Sequence, residues 1–357
     1  MADAKHILVC PLDWGLGHAT RMMPVINQLL ALGHRVSIAS SGRALTLLRQ
    51  EYAQLSFFEL PAYNASYRGG VAMVLDMAIQ TPRLLNTIKK EHVAVNQLID
   101  KHRFDAIISD NRYGCHSNKI PCVFVTHQVN ILMPYYAKFM QPIVKRINYR
   151  FINSFNELWI PDFEGEDNIS GYLSHGSLPH LTVKYLGPLS RLQKVAADKK
   201  YDVIAILSGP EPMRSHFENR LLKQLSYLDY NCLLVQGKPE VNERRKQGNV
   251  SIVSSLNSAA LETAIAASGV VIARSGYSTI MDLVKLKKKA LLVPTPGQTE
   301  QAYLATRLKD MAWFDSVKQE QMDISTDLDN INAFMPVEVP VNGYLKENIV
   351  RWIGDCL

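Results

Sequence analysis

The chain has 357 residues, 47% of them hydrophobic and 20% charged, with a formal net charge of +6. This composition argues against disorder, and the length exceeds the usual size of one core, so two domains are expected. The charge is too mild to point to nucleic acid, and no apolar run reaches the roughly 18 residues of a membrane span. The five cysteines, Cys10, Cys115, Cys122, Cys232 and Cys356, are scattered and contain no Cys-x-x-Cys pair. They read as reduced thiols rather than a metal or disulfide framework. The opening Met1-Ala2-Asp3-Ala4-Lys5 carries no signal-peptide pattern, so a cytoplasmic location is expected.

The first strand is expected at Ile7-Leu8-Val9-Cys10, followed by Asp13-Trp14-Gly15-Leu16-Gly17-His18-Ala19-Thr20-Arg21 and a helical pattern over 22–32. A strand, a glycine-rich turn and a helix start place His18 at a strand's carboxyl end, where open α/β sheets bind ligands. The glycines allow close backbone approach, the helix start favours an anion, and a histidine there titrates near neutrality. The same stretch also reads as a tight βα turn with a partly exposed helix-start histidine. Its spacing, Gly-x-Gly-His, is not the dinucleotide fingerprint, which disfavours a nicotinamide dehydrogenase.

A strand over 34–40, a helix over 44–50 and a strand over 55–58 continue a βαβαβ rhythm, hence a parallel sheet. Residues 61–70, with Tyr63, Tyr67, Arg68 and a Gly-Gly pair, read as a mobile loop over a site. A long helical region over 71–101 follows, interrupted near Thr81-Pro82, where proline begins a new helix or kinks one. The strands at 104–109 and 122–126 run into Asp110-Asn111-Arg112 and His127-Gln128, and Asp13, Arg112 and His127 are acceptor-side candidates. Residues 134–151 form an amphipathic pattern with Phe139, Ile143 and Ile147. Between Asn111 and Asn156 there is no Asp or Glu, while Arg112, Lys119, Lys138, Lys145, Arg146 and Arg150 are present. Such a segment reads first as an ordinary solvated basic face, and it also suits anionic lipid or a phosphorylated acceptor. Strands at 158–160 and 183–186 complete the first half.

The domains are expected at 1–187 and 201–338, with a polar linker over 188–200 and a last helix within 339–357 packing on either domain. The second half restarts the rhythm, with strands at 203–207, 232–235, 250–253, 269–272 and 290–293 and helices at 213–225, up to 267, 277–286 and 299–309. Two such series imply two doubly wound Rossmann-like α/β domains facing a cleft.

Arg274-Ser275-Gly276 opens a helix, so its N–H groups, the Ser275 hydroxyl and the Arg274 charge suit a phosphate. Ser278 and Asp282 share a helical face, and Asp282 could bond a ribose diol. Ser208-Gly209 is a second phosphate-facing turn, weakened because Pro210 and Pro212 lack N–H donors. Gln298, Glu300 and Gln301 could bond sugar hydroxyls, or simply cap a surface helix.

Gly15-Leu16-Gly17-His18, Ala273-Arg274-Ser275-Gly276 and Pro294-Thr295-Pro296-Gly297-Gln298-Thr299-Glu300-Gln301 together resemble the GT-B glycosyltransferases. Within these the chain is similar to the peptidoglycan N-acetylglucosaminyltransferase and UDP-glycosyltransferase group. The resemblance implies a nucleotide-diphosphate sugar, such as a UDP-sugar, held by the carboxyl-terminal domain. It further implies a hydroxyl acceptor held by the amino-terminal domain and no metal or other cofactor. It assigns His18 as base and Asp110 as the acid that orients it. Ser275 and Gly276 would contact phosphate, Asp282 ribose, and Gln298, Glu300 and Gln301 the donor sugar; Gly17 belongs to the donor set, and Ser254 falls where the base is read. The loop Ser208-Gly209-Pro210-Glu211-Pro212 departs from the family's glycine-rich form, and the long plant-type signature with its Trp and His is absent. The expected reaction is inverting transfer to a hydroxyl, with a lipid-linked acceptor and peripheral contact with anionic membrane suggested by the basic segment. The competing readings are a UDP-N-acetylglucosamine 2-epimerase and a nucleotide-sugar-binding subunit without catalysis.

Overall fold

In a computed structural model the described residues are 3–63, 72–209, 211–331, 333–334, 337 and 344–357. The chain divides into two compact units, one running to Leu189 and taking back the last helix, the other beginning at Ser190. The loop expected at 61–70 lies outside the described residues from position 64 onward, and so does Pro210.

The first unit is built on strands β1 (His6–Pro11), β2 (Arg35–Ser40), β3 (Ser56–Glu59), β4 (Ala106–Asp110), β5 (Cys122–Val125), β6 (Glu157–Ile160) and β7 (Thr182–Tyr185). Their order is β3-β2-β1-β4-β5-β6-β7, and every pairing is parallel. The central strands β1, β4, β5 and β6 are buried almost throughout, as their near-continuous apolar runs require of a parallel sheet covered on both faces. The region over 72–102 is one helix (Ala72–His102) that contains Pro82, so of the two alternatives the proline lies within a helix and does not begin a new one. The last helix, Tyr344–Cys356, belongs to this unit: Trp352 meets Trp159 edge to face at 5.2 Å, and Asn348 donates to the Tyr185 carbonyl at 3.0 Å.

The second unit carries β8 (Tyr201–Ile206), β9 (Cys232–Val235), β10 (Arg244–Gln247), β11 (Val250–Val253), β12 (Ser268–Ala273), β13 (Ala290–Leu292) and β14 (Asp315–Ser316). Their order is β10-β11-β9-β8-β12-β13-β14, with β10 antiparallel to β11 and the other pairs parallel. Sequence periodicity missed β10, because Arg244-Arg245-Lys246-Gln247 has no apolar residue and is wholly exposed; it is a charged edge strand paired through its ladder to β11, with Arg245 3.8 Å from Glu218. Beneath it Leu207, Phe217, Leu221, Leu234, Ile272 and Leu291 form part of one buried core.

Both strand orders reverse direction once: between β1 and β4 in the first sheet, and between β8 and β12 in the second. At such a switch point the connections leave to opposite sides and open a crevice at the carboxyl ends of the strands.

Candidate active site

The first crevice brings the expected pair together. Register Pro11↔Asp110 sets the end of β1 beside the end of β4, and Leu12 N–H donates to the Asp110 carbonyl at 3.0 Å. The chain leaves β1 through Gly15, which caps the helix Leu16–Ala31 with φ 75° and ψ −179°, a conformation essentially confined to glycine. That turn puts His18 on the first turn of the helix, and its Nδ1 lies 3.1 Å from Asp110 Oδ2 across 92 positions of sequence.

Asp110 is fully buried and is also gripped by Arg21, whose Nε lies 3.0 and 2.9 Å from the two carboxylate oxygens and whose Nη2 makes a further short contact with Oδ1. Arg21 Nη1 reaches His127 Nδ1 at 3.0 Å. A guanidinium only donates, so His127 accepts at Nδ1. Arg21 Nη2 also lies 2.9 Å from His18 Nδ1. His18 Nδ1 therefore has two uses that exclude each other: carrying a proton it donates to Asp110, and bare it accepts from Arg21. Burial, helped by the neighbouring Arg21 charge, lowers the His18 pKa below 6.5 despite Asp110. Burial opposes the Asp110 charge, but Arg21 and then His18 overcome it and hold the carboxyl below its usual value. The result is an ionised acid beside an imidazole biased to neutrality.

Sequence pattern alone does not single out Arg21. It stands three residues after His18, one turn along the same helix face, and that spacing was the available signal. Arg112 sits differently from an acceptor contact. It is fully buried, bonded to Glu91 Oε1 at 2.5 Å and to the Pro61 carbonyl at 2.8 Å. Glu91 in turn accepts from Tyr63 and the Gly114 N–H, so Arg112 knits a buried network. Asp13 borders that network, with Oδ1 3.8 Å from Arg112 Nη1. Gly17 lies in the first turn and its carbonyl accepts from Thr20.

In the second unit, register Ala273↔Ile206 sets the turn after β8 beside the turn after β12. Ser208 and Gly209 are exposed there. Gly276 caps the helix Tyr277–Leu286 with φ −73°, and a Cβ built on it meets no atom within 4 Å, so open space lies before this helix start. Ser275 is buried and donates to the Gln301 carbonyl at 2.8 Å; Gln301 bonds Gln298 at 2.5 Å and the Thr295 N–H at 2.8 Å. Ser275, Gln298 and Gln301 thus form one hydrogen-bonded set, with Glu300 half-buried in the next helix's first turn.

Arg274 points elsewhere. It is buried, donates to the carbonyls of Val293, Pro294 and Met213 and to Gln319, and stacks over Phe217 at 4.0 Å. Burial pulls its pKa down to about 10, with Glu320 offsetting part of the effect. Ser254 is likewise engaged, exchanging bonds with the Glu243 backbone at 2.6 and 2.9 Å. Asp282 accepts from the Ser190 hydroxyl, and burial pushes its carboxyl up to about 6; Ser278 is half-buried one turn before it. Among the described residues no group of three or more His, Cys, Asp and Glu side chains gathers as a metal site.

Two doubly wound sheets, each with its crevice at a switch point, define a two-domain Rossmann-like α/β fold, and solved glycosyltransferases of the GT-B type share it. The spinosyn rhamnosyltransferase SpnG complexed with thymidine diphosphate matches with a TM-score of 0.63 at 16% identity, covering 98% of this chain and 100% of that one. MurG of Acinetobacter baumannii matches with a TM-score of 0.60 at 15% identity, covering 98% and 99%. The model of glycosyl transferase family 1 matches residues 6–336, so the chain belongs to that family and is a glycosyltransferase. An uncharacterized glycosyltransferase of Methanosarcina acetivorans is 24% identical over 319 residues, 84% of this chain and 80% of that protein. One of Methanosarcina mazei is 25% identical over 159 residues, 42% of this chain and 41% of its own length.

Proposed function

We propose that this glycosyltransferase moves a sugar from a nucleoside-diphosphate donor, a UDP-sugar, to a hydroxyl acceptor with inversion and without a metal or other cofactor. The observation that carries the reading is the His18–Asp110 pair, 3.1 Å apart at the first crevice, with Arg21 holding Asp110 ionised. In the productive tautomer His18 Nδ1–H donates to Asp110, and Nε2 takes the proton of the acceptor hydroxyl. That oxygen forms the bond to the anomeric carbon as the bond to the diphosphate oxygen breaks, and the leaving diphosphate keeps the electron pair. Asp110 stabilises the imidazolium that results, as an orienting carboxylate does in other proton relays.

The open helix start at Gly276 suits the diphosphate, whose charge grows as the bond breaks. Asp282 would exchange the Ser190 hydroxyl for ribose hydroxyls, and the Gln298–Gln301 set with Glu300 would bond the donor sugar. Arg274 acts through the carbonyls it holds, shaping the turn rather than touching phosphate. The acid-free basic segment over 111–156 supports a lipid-linked acceptor presented at the cytoplasmic side of a membrane.

A thermal-shift screen of nucleotide sugars tests the donor, since a ligand at 100 times its dissociation constant stabilises by about 2.7 kcal/mol. UDP-sugars are expected to raise the melting temperature most; a response confined to thymidine diphosphate sugars would reassign the base. For the reaction, His18→Ala should keep donor binding and lose about 10²–10⁴-fold in transfer. Transfer within a factor of two of the parent would remove His18 as the base, and a sugar epimer formed without acceptor would replace transfer by epimerisation.

A further inference from the structure

The segment after β5 folds as a 3₁₀ turn, Tyr135–Met140, leading into a helix, Gln141–Ile152. Its inner side is fixed: Asn148 bonds the Val129 carbonyl at 2.9 Å and Tyr113 at 2.6 Å, and Ile152 enters the core. Its outer side is apolar, with Tyr135 94%, Phe139 78%, Ile143 59% and Ile147 50% exposed. Ile143 and Ile147 lie four apart, and Arg146 and Arg150 lie three beyond each, so an apolar row runs beside a cationic one on one helix face. Lys138, Arg146 and Arg150 are exposed, and residues 111–156 contain no acid to pair with them.

From this geometry we infer that the outer face of residues 135–150 is an interfacial surface that lies on an anionic lipid bilayer. Apolar rings and isoleucines enter the headgroup boundary while arginine and lysine heads stay at the phosphates. The charge pattern favours lipid over a second copy of the chain, because a two-fold self-contact would set Arg146 and Arg150 against their own copies with no acid in the element. Among the described residues no helix is long and apolar enough to cross a membrane. The inference deepens the reading of a membrane-presented acceptor, but its test needs neither donor nor acceptor, so either can fail alone.

The full chain is sedimented with phosphatidylcholine vesicles containing about 30% phosphatidylglycerol and with phosphatidylcholine alone. Binding is expected with the anionic vesicles, falling at least about tenfold between about 0.05 M and 0.5 M salt. Phe139→Ser with Ile143→Ser, and separately Arg146→Glu with Arg150→Glu, should each lower it about tenfold while leaving the melting temperature unchanged, since all four side chains are exposed. A Phe139→Trp variant should show blue-shifted emission on anionic vesicles. Equal binding to both vesicle types, unchanged binding of either double variant, or a dimer that the same variants dissociate without any lipid binding would overturn the inference.

Discussion

Asp282→Asn separates stability from donor binding. Burial pushes the Asp282 carboxyl from 3.8 up to about 6, a gap worth about 3 kcal/mol at about 1.36 kcal/mol per pH unit. The folded chain binds this proton more tightly than the unfolded one, so the associated stability is fully present below 3.8 and is lost as pH rises through about 6. At pH 7.5 the native protein holds an ionised carboxylate at that cost. Asparagine is neutral throughout and keeps an oxygen to accept from Ser190. The variant should therefore be more stable at pH 7.5 by up to about 3 kcal/mol, by about half that near pH 5, and by a few tenths near pH 4. Urea unfolding at the three pH values, compared through midpoints at a common slope, measures the difference. A gain that does not change with pH, or no gain at pH 7.5, would refute the reasoning. Donor affinity should move the other way, weakening about 10–100-fold if the carboxylate accepts ribose hydroxyls, as one lost bond to a charged group predicts.

Arg21→Met should cost about 3–5 kcal/mol, because Asp110 would stay buried without its principal counter-charge. With the cation gone, the His18 imidazole should titrate at higher pH by NMR; an unmoved titration would show that Arg21 does not set its protonation. Gly276→Ala should keep stability within about 1 kcal/mol, since its φ is −73° and its Cβ meets open space, yet weaken donor binding measured by calorimetry. Unchanged donor affinity would move the diphosphate away from that turn. Gly114→Ala should destabilise by about 1–3 kcal/mol in a melting assay, because its Cβ would lie 2.4 Å from the Ile88 carbonyl oxygen.

The strand-turn-helix units were legible because buried parallel strands are written as unbroken apolar runs ended by glycine or a polar residue, as at Ile7 to Gly17 and Val271 to Gly276. The meeting of His18 with Asp110 follows from that rhythm once the switch point is known. What stayed hidden was side-chain direction. Arg274 reads in sequence as a charge at an anion turn, yet three carbonyls and Phe217 draw it inward. Period alone likewise does not say which way Phe139, Ile143 and Ile147 face. The long-range partners of Asp110 and Asp282, Arg21 and Ser190, are decided by packing that no local pattern records. The charged edge strand β10 carried no periodic signal at all.

The return of Tyr344–Cys356 to the first unit bears on how the protein is made. Trp352 and Trp159 are both fully buried, so the domain that carries His18 leaves a large aromatic ring exposed until that helix docks. Domains generally fold as units during synthesis, amino-terminal first. Here the ribosome must translate the whole second unit before the first can close, while the second holds all of its strands well before translation ends. Chains truncated after residue 340 should therefore carry a folded second unit and an unfinished first one, the reverse of their order in the gene.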